Sequence, residues 1–139
     1  FGIRLFGMTP FGWRFSGVLF GVGMLPVLYV FLKKMFGGFA VPACGTAIFA
    51  FDFMHFTQTR IATIDTYAVF FILLMYLFMY LYVNGGRLRH LALSGVFFGI
   101  GVACKWTCLY AGAGLAVIWL IHWIRRLKDG CGARRFIKN

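Results

Sequence analysis

Asp52, His55, Arg60 and Asp65 fall within the stretch FDFMHFTQTRIATIDTY, residues 51–67, of a chain that is 62% hydrophobic and has 3 acidic residues among 139. Two of those acids are here. Carboxylates, an imidazole and a guanidinium at this spacing can hold an anion, order one another or move a proton. Charges inside apolar stretches persist chiefly where they face a polar cavity or each other. Arg14 in FGWRFSG and Lys105 in GVACKWT interrupt apolar sequence in the same way. Arg14, Arg60 and Lys105 outnumber Asp52 and Asp65, a positive bias that suits an anionic ligand such as a lipid phosphate.

The elements that position these residues follow from composition. With 20% aromatic and 12% charged residues and a mean hydropathy of +0.87, the chain is far more apolar than a soluble domain of this length requires. The fold class expected is all-α, a polytopic transmembrane helical bundle. A spanning helix needs about 20 mostly apolar residues, fewer if it is half-length or re-entrant. Apolar stretches predict five helices over residues 11–32, 39–56, 66–83, 91–104 and 109–124, forming a single transmembrane region with a basic tail over 125–139. The opening at Phe1, without an initiator Met or a signal-type pattern, reads as an internal piece of a longer polypeptide.

A formal net charge of +11 raises nucleic acid as a partner, but the placement of the charge argues against it. Lys33 and Lys34, then Arg87 and Arg89, then Arg125, Arg126, Lys128, Arg134, Arg135 and Lys138 follow the first, third and fifth apolar stretches. Basic residues at alternate breaks are what the positive-inside rule produces, so those breaks are expected in the cytoplasm. Arg4, Arg14, Asp52, Arg60, Asp65 and Lys105 then map toward the opposite, extracytoplasmic face.

Each of these residues has a structural reading beside the functional one. Arg14 either snorkels to the headgroups beside Trp13 or faces the site. Asp65 either caps the third helix or shapes the pocket. Asp52, placed inside the second predicted helix, is expected to need a cationic partner among Arg14, Arg60 and Lys105. His55, three residues on, shares its helical face and reads as a hydrogen-bonding partner rather than a metal ligand. Lys105 suits either a salt bridge or a phosphate contact. Gly95, Gly99, Gly101, Gly112 and Gly114 give small-xxx-small spacing for close packing of the last two helices. Cys44, Cys104, Cys108 and Cys131 form no metal-binding pattern and read as small apolar filler, so no metal site and no cofactor are expected.

Three blocks carry a resemblance: FGMTPFGWRFSGVLFGVGMLPVLYVFLKKMFG, then FAFDFMHFTQTRIATIDTYAVFFILLMYLFMYLY, then GIGVACKWTCLYAGAGLAVIW. They resemble successive parts of the protein O-mannosyltransferase family, membrane glycosyltransferases of the GT-C fold. The resemblance implies transfer of mannose from a dolichyl- or polyprenyl-phosphate carrier, the donor substrate, to Ser or Thr of an acceptor protein. The site would be extracytoplasmic, at a bacterial plasma membrane or, in a eukaryote, facing the ER lumen. Arg14 matches a functionally sensitive arginine of the family. The family's acidic catalytic motif and its His-Pro-Pro block are not present in this chain.

Arg14, Arg60 and Lys105 are therefore expected to bind the donor phosphate, with Asp52, His55 and Asp65 shaping the pocket and ordering Arg60. No catalytic residue is assigned within the chain, which is expected to be inactive alone. Two other readings stay open: a related GT-C transferase with another sugar or a lipid acceptor, and a multi-pass transporter, which should show discontinuous helices or a polar path near the midplane.

Overall fold

The computed structural model describes residues 2–61 and 63–128, without the side chains of residues 126–128. Phe1 and the basic tail after Lys128, with Cys131, lie outside the described residues. Every regular element among the described residues is an α-helix: α1 (Gly2–Phe6), α2 (Pro10–Phe36), α3 (Ala40–Ala50), α4 (Phe53–Arg60), α5 (Ile64–Gly85), α6 (Leu88–Cys104) and α7 (Cys108–Lys128). The fold is all-α, as the composition implied. Pro10–Phe36, Ile64–Gly85 and Cys108–Arg125, of 27, 22 and 18 residues, are each long and apolar enough to cross a bilayer, and the chain is a membrane protein. Large apolar side chains accordingly stay exposed along α2 and α7, among them Leu19, Val22, Val117 and Leu120. The chain divides into two compact units between Leu73 and Leu74, inside α5.

In the first unit α2 is the common support, packed by α1, α3 and α4. Its start is fixed locally: the Thr9 side chain accepts from the Gly12 N–H at 3.2 Å, and Pro10 supplies the preset φ of a first helical position. Lys33 and Lys34 occupy its last turn, where cations favour the carbonyl end of the dipole. The chain then leaves through Gly37 at φ 67°, a conformation that glycine adopts without a Cβ penalty. On another side of α2, Phe20 meets Tyr67, Phe70 and Phe71 of α5 with ring centroids 4.9, 5.1 and 6.0 Å apart.

The single helix expected over 39–56 is two helices. α3 ends at Ala50, and Asp52 is the N-cap of α4, its Oδ2 accepting from the His55 N–H at 3.0 Å. Asp52 is thus a cap, not a mid-helix charge awaiting an arginine. The reason is the usual competition: an Asp side chain offers a backbone N–H an alternative to the helical ladder, so it favours a helix start over an interior. The break does not turn the chain back. Gly45 of α3 lies against Leu32 of α2, Ala50 shares a hollow with Leu25 and Val22, Thr59 of α4 lies against Gly21, and Arg60 and Ile61 share a hollow with Arg14. α3 and α4 therefore run antiparallel along α2 from Leu32 to Arg14, about 27 Å at 1.5 Å per residue.

The second unit packs the later part of α5 with α6 and α7. Ser94 of α6 is wholly buried and donates from Oγ to the Met75 carbonyl at 3.0 Å. Tyr76 donates from its hydroxyl to the Ala111 carbonyl at 3.0 Å, and Phe78 stacks on Phe97 at 5.4 Å. The expected glycine stripe divides by face. A Cβ at Gly112 would meet the Phe98 ring, and one at Gly114 would lie 3.0 Å from the Tyr76 hydroxyl, whereas Gly95 and Gly99 have nothing within 4 Å.

Gly112→Ala is accordingly expected to destabilise the intact protein by about 1–3 kcal/mol through overpacking. Gly95→Ala should leave it unchanged or stabilise it by up to about 1 kcal/mol, through the better helix propensity of alanine. Thermal unfolding in detergent checks both, and equal effects at the two positions would contradict this packing.

Candidate functional site

Three hollows surround α4, and five of the six residues singled out by type line them. The largest, about 340 Å³, is lined by Arg14 of α2, by Phe53, Phe56, Thr57 and Arg60 of α4, and by Ile61. Both arginines are exposed. The Arg60 guanidinium lies over the Phe56 ring, 5.2 Å from its centroid, an arrangement that holds a cation above an apolar wall. Two arginines and two phenylalanines lining one hollow suit an anion carried by an apolar chain, since each guanidinium fork can take two oxygens.

The second hollow, about 180 Å³, lies among α2, the α3–α4 break and α5. Met24, Phe49, Asp52, His55, Gln58 and Asp65 contribute to it. Asp52 and His55 meet here through the capping bond described above, which uses the His55 backbone and leaves the imidazole to pack on Phe49, centroids 4.3 Å apart. Asp65 sits in the first turn of α5, where the helix dipole favours a carboxylate. Asp65 and Arg60 line different hollows. A third hollow, also about 180 Å³, includes both His55 and Arg60 and so adjoins the other two.

Lys105 lies in the second unit. It is the C-cap of α6 in extended conformation, φ −153° and ψ 127°, with its N–H donating to the Gly101 carbonyl at 2.9 Å. Its own carbonyl accepts from the Cys108 N–H at 3.0 Å as α7 begins. The lysine therefore marks the turn between two helices, and Trp106 and Tyr110 beside it are exposed, with ring centroids 5.6 Å apart.

Gln58 and Thr59 were not singled out by type, yet they hold the site together. Thr63 donates from Oγ1 to the Gln58 side-chain oxygen at 3.0 Å, and Thr66 donates to the Gln58 carbonyl at 3.3 Å, which ties the start of α5 to α4. Thr59 is buried against α2. The available signal was the polar run Thr57-Gln58-Thr59 beside Arg60, which an apolar stretch does not otherwise tolerate. Among the described residues no group of three or more His, Cys, Asp or Glu could hold a metal ion.

The profile of the family described as Dolichyl-phosphate-mannose-protein mannosyltransferase matches residues 3–136. The chain belongs to this family. Among curated mannosyltransferases it resembles the polyprenol-phosphate-mannose--protein mannosyltransferase of Mycobacterium tuberculosis, 27% identical over 130 residues that cover 88% of this chain and 24% of that protein. The protein of the same name from Corynebacterium glutamicum is 25% identical over 161 residues, 98% of this chain and 30% of that protein. The chain thus spans about a quarter to a third of the length of the mannosyltransferases it matches. No solved structure matches it.

The capping role of Asp52 separates from an ion-pairing one by substitution. Asp52→Ala should destabilise the intact protein by about 1 kcal/mol, the usual loss of an N-cap, while Asp52→Asn, a competent cap without charge, should stay within a few tenths. Thermal unfolding reads the difference; equal loss in both variants would favour a charge partner for Asp52.

Proposed function

We propose that this chain is the donor-side part of a membrane glycosyltransferase that moves mannose from a polyprenyl- or dolichyl-phosphate carrier to Ser or Thr hydroxyls of an acceptor protein. The observation that carries the reading is the hollow lined by Arg14, Arg60, Phe53 and Phe56, whose mixed surface fits a phosphate attached to an isoprenoid chain. Family membership supports the sugar and the acceptor class. The carrier keeps its tail in the bilayer while its phosphate reaches the interface. There the two arginines stabilise the charge that develops on the leaving phosphate as the glycosidic carbon–oxygen bond breaks.

Lys105 is a further donor-phosphate contact on this reading, from its sequence context. The acceptor hydroxyl needs a carboxylate base. Asp52 is engaged as a helix cap and Asp65 belongs to the first turn of α5, so on this reading neither is assigned as the base, and the chain by itself is expected to be inactive. His55 and the two carboxylates shape the hollow beside the phosphate site.

The orientation proposed places the breaks at Lys33, Arg87 and Arg125 in the cytoplasm, with Arg14, Arg60 and Lys105 at the extracytoplasmic face. The course of α3 and α4 along α2 is compatible with a crossing, since it nearly equals the roughly 30 Å of hydrocarbon. Cysteines introduced at positions 33 and 87 should both react with an impermeant reagent only after the membrane is opened. Reaction of either one from outside in sealed cells would overturn the topology.

For the intact enzyme, Arg14→Ala, Arg60→Ala and Lys105→Ala are each expected to slow single-turnover mannose transfer about 100- to 1000-fold, the usual loss when a contact to developing charge is removed. Asp65→Asn should lose less, because it keeps size and most hydrogen bonding. Transfer at the parental rate by the arginine and lysine variants, in membranes matched for folded protein, would make these cations structural and the donor-phosphate reading wrong.

A further inference from the structure

We infer that Gly21 and Thr59 form a positioning contact that sets where Arg60 stands in the cationic hollow, an inference that rests on the donor-phosphate reading of that hollow. Thr59 is 8% exposed, on the face of α4 turned to α2. A Cβ built at Gly21 would run into the Thr59 methyl, Cγ2, and would lie 2.9 Å from Thr59 Cβ. The methyl therefore fills the space that the missing side chain of Gly21 leaves.

Thr59 cannot swing aside. It is β-branched, and its Oγ1 donates to the His55 carbonyl at 2.7 Å and the Phe56 carbonyl at 2.9 Å, which fixes χ1. With eight residues, α4 is too short to hold itself in place, so its position along α2 and its rotation are set by packing. Thr59 is adjacent to Arg60 and three residues from Phe56, the ring beneath the Arg60 guanidinium. Arg14 and Gly21 both belong to α2. The Gly21–Thr59 contact thus fixes the helix that carries Arg60 against the helix that carries Arg14, at one point buried between them.

Gly21→Ala should push α4 off α2 and displace Arg60 by a fraction of an ångström to about an ångström. Misplacement on that scale costs up to about 100-fold in rate. We expect about a tenfold loss of single-turnover transfer in the intact enzyme, measured in membranes matched for folded protein. Thr59→Ser added to Gly21→Ala removes the colliding methyl and keeps Oγ1, and it should recover part of the loss, since the remaining Cβ–Cβ contact of 2.9 Å still opens only with a shift of roughly half an ångström. Arg60→Ala is the readout that separates positioning from stability: with the guanidinium gone its placement no longer matters, so Gly21→Ala/Arg60→Ala should transfer no more slowly than Arg60→Ala.

A further tenfold loss in that double variant, or no recovery with Thr59→Ser, would overturn the positioning role while leaving the phosphate site intact. Parental transfer by Arg60→Ala would instead overturn the phosphate role of Arg60 itself. Where Gly21→Ala accumulates too poorly to assay, Thr59→Ala empties the notch rather than overfilling it. It should cost about threefold, on the same misplacement scale, again absorbed by Arg60→Ala; additive loss there would equally overturn the inference.

Discussion

The break between α3 and α4 is the constraint on which the rest of the first unit depends. A backbone interrupted in an apolar surrounding leaves N–H and carbonyl groups that must find partners nearby, because each unsatisfied one costs several kcal/mol in hydrocarbon. Here the chain closes the gap with its own groups. The Phe51 N–H donates to the Ala47 carbonyl at 3.0 Å and the Asp52 N–H to the Phe49 carbonyl at 3.3 Å. The Asp52 carboxylate takes the His55 N–H at 3.0 Å, and the His55 ring lies on Phe49 across the gap. A carboxylate that would be expensive as a bare charge becomes the group that starts a helix. The hollow beside the break is the space that the interruption opens, and the polar residues on α4 line it.

How much of this was legible in the sequence depends on which physical signal a feature leaves. The helical class and the membrane setting are written in composition, because lipid tolerates few backbone arrangements other than helix. The break is not written there. FAFDFMHF reads as one apolar stretch with a charge in it, and hydrophobicity has no means of telling where a hydrogen-bond ladder is interrupted; the only local signal was the preference of Asp for caps. The glycines show the same division. Spacing marked Gly95, Gly99, Gly112 and Gly114 as small, but which of them a neighbour approaches depends on helix rotation, and only Gly112 and Gly114 have another helix at hand. Gly21, the glycine with the tightest partner at the site, closes a Gly17-x3-Gly21 spacing in GVLFGVGM, a small-xxx-small signal of the same kind that was read in the last two helices and not in this one.

The same reasoning applies to the charges. Residue type singled out Arg14, Arg60, Asp52, His55 and Asp65, since a charge in apolar sequence needs a reason. Type could not sort them. The structure gives the arginines one hollow and the carboxylates another, with α4 contributing to both. The separation has a physical consequence: were Asp52 or Asp65 lodged between the guanidiniums, it would compete with any anionic ligand for the same donors. Asp52, used as a cap and lining the other hollow, stays out of that competition. A discontinuous helix, a feature associated above with transporters, is present here as well, and its second half carries the polar side chains of α4.

Placing Arg60, the proposed phosphate contact, on a helix of only eight residues looks like a weak foundation, since a helix so short gains little from its own ladder. The packing supplies what the ladder does not. Thr59 locks α4 to α2 at Gly21, Gln58 ties it to the start of α5 through Thr63 and Thr66, and Asp52 fixes where it begins. The polar residues Gln58 and Thr59 are thus largely turned to the protein's own backbone and side chains, while Asp52, exposed, gives one carboxylate oxygen to the cap. The cation at the end of the helix is what remains outward. An arginine has many rotamers and loses about 2 kcal/mol of entropy when it is held, so a rigid base and the Phe56 ring beneath the guanidinium limit how much freedom an incoming anion must remove. On this account the short helix is an advantage: its position is decided by contacts with α2 and α5, and Arg60 therefore stands in the frame of α2, the helix that contributes Arg14 to the hollow.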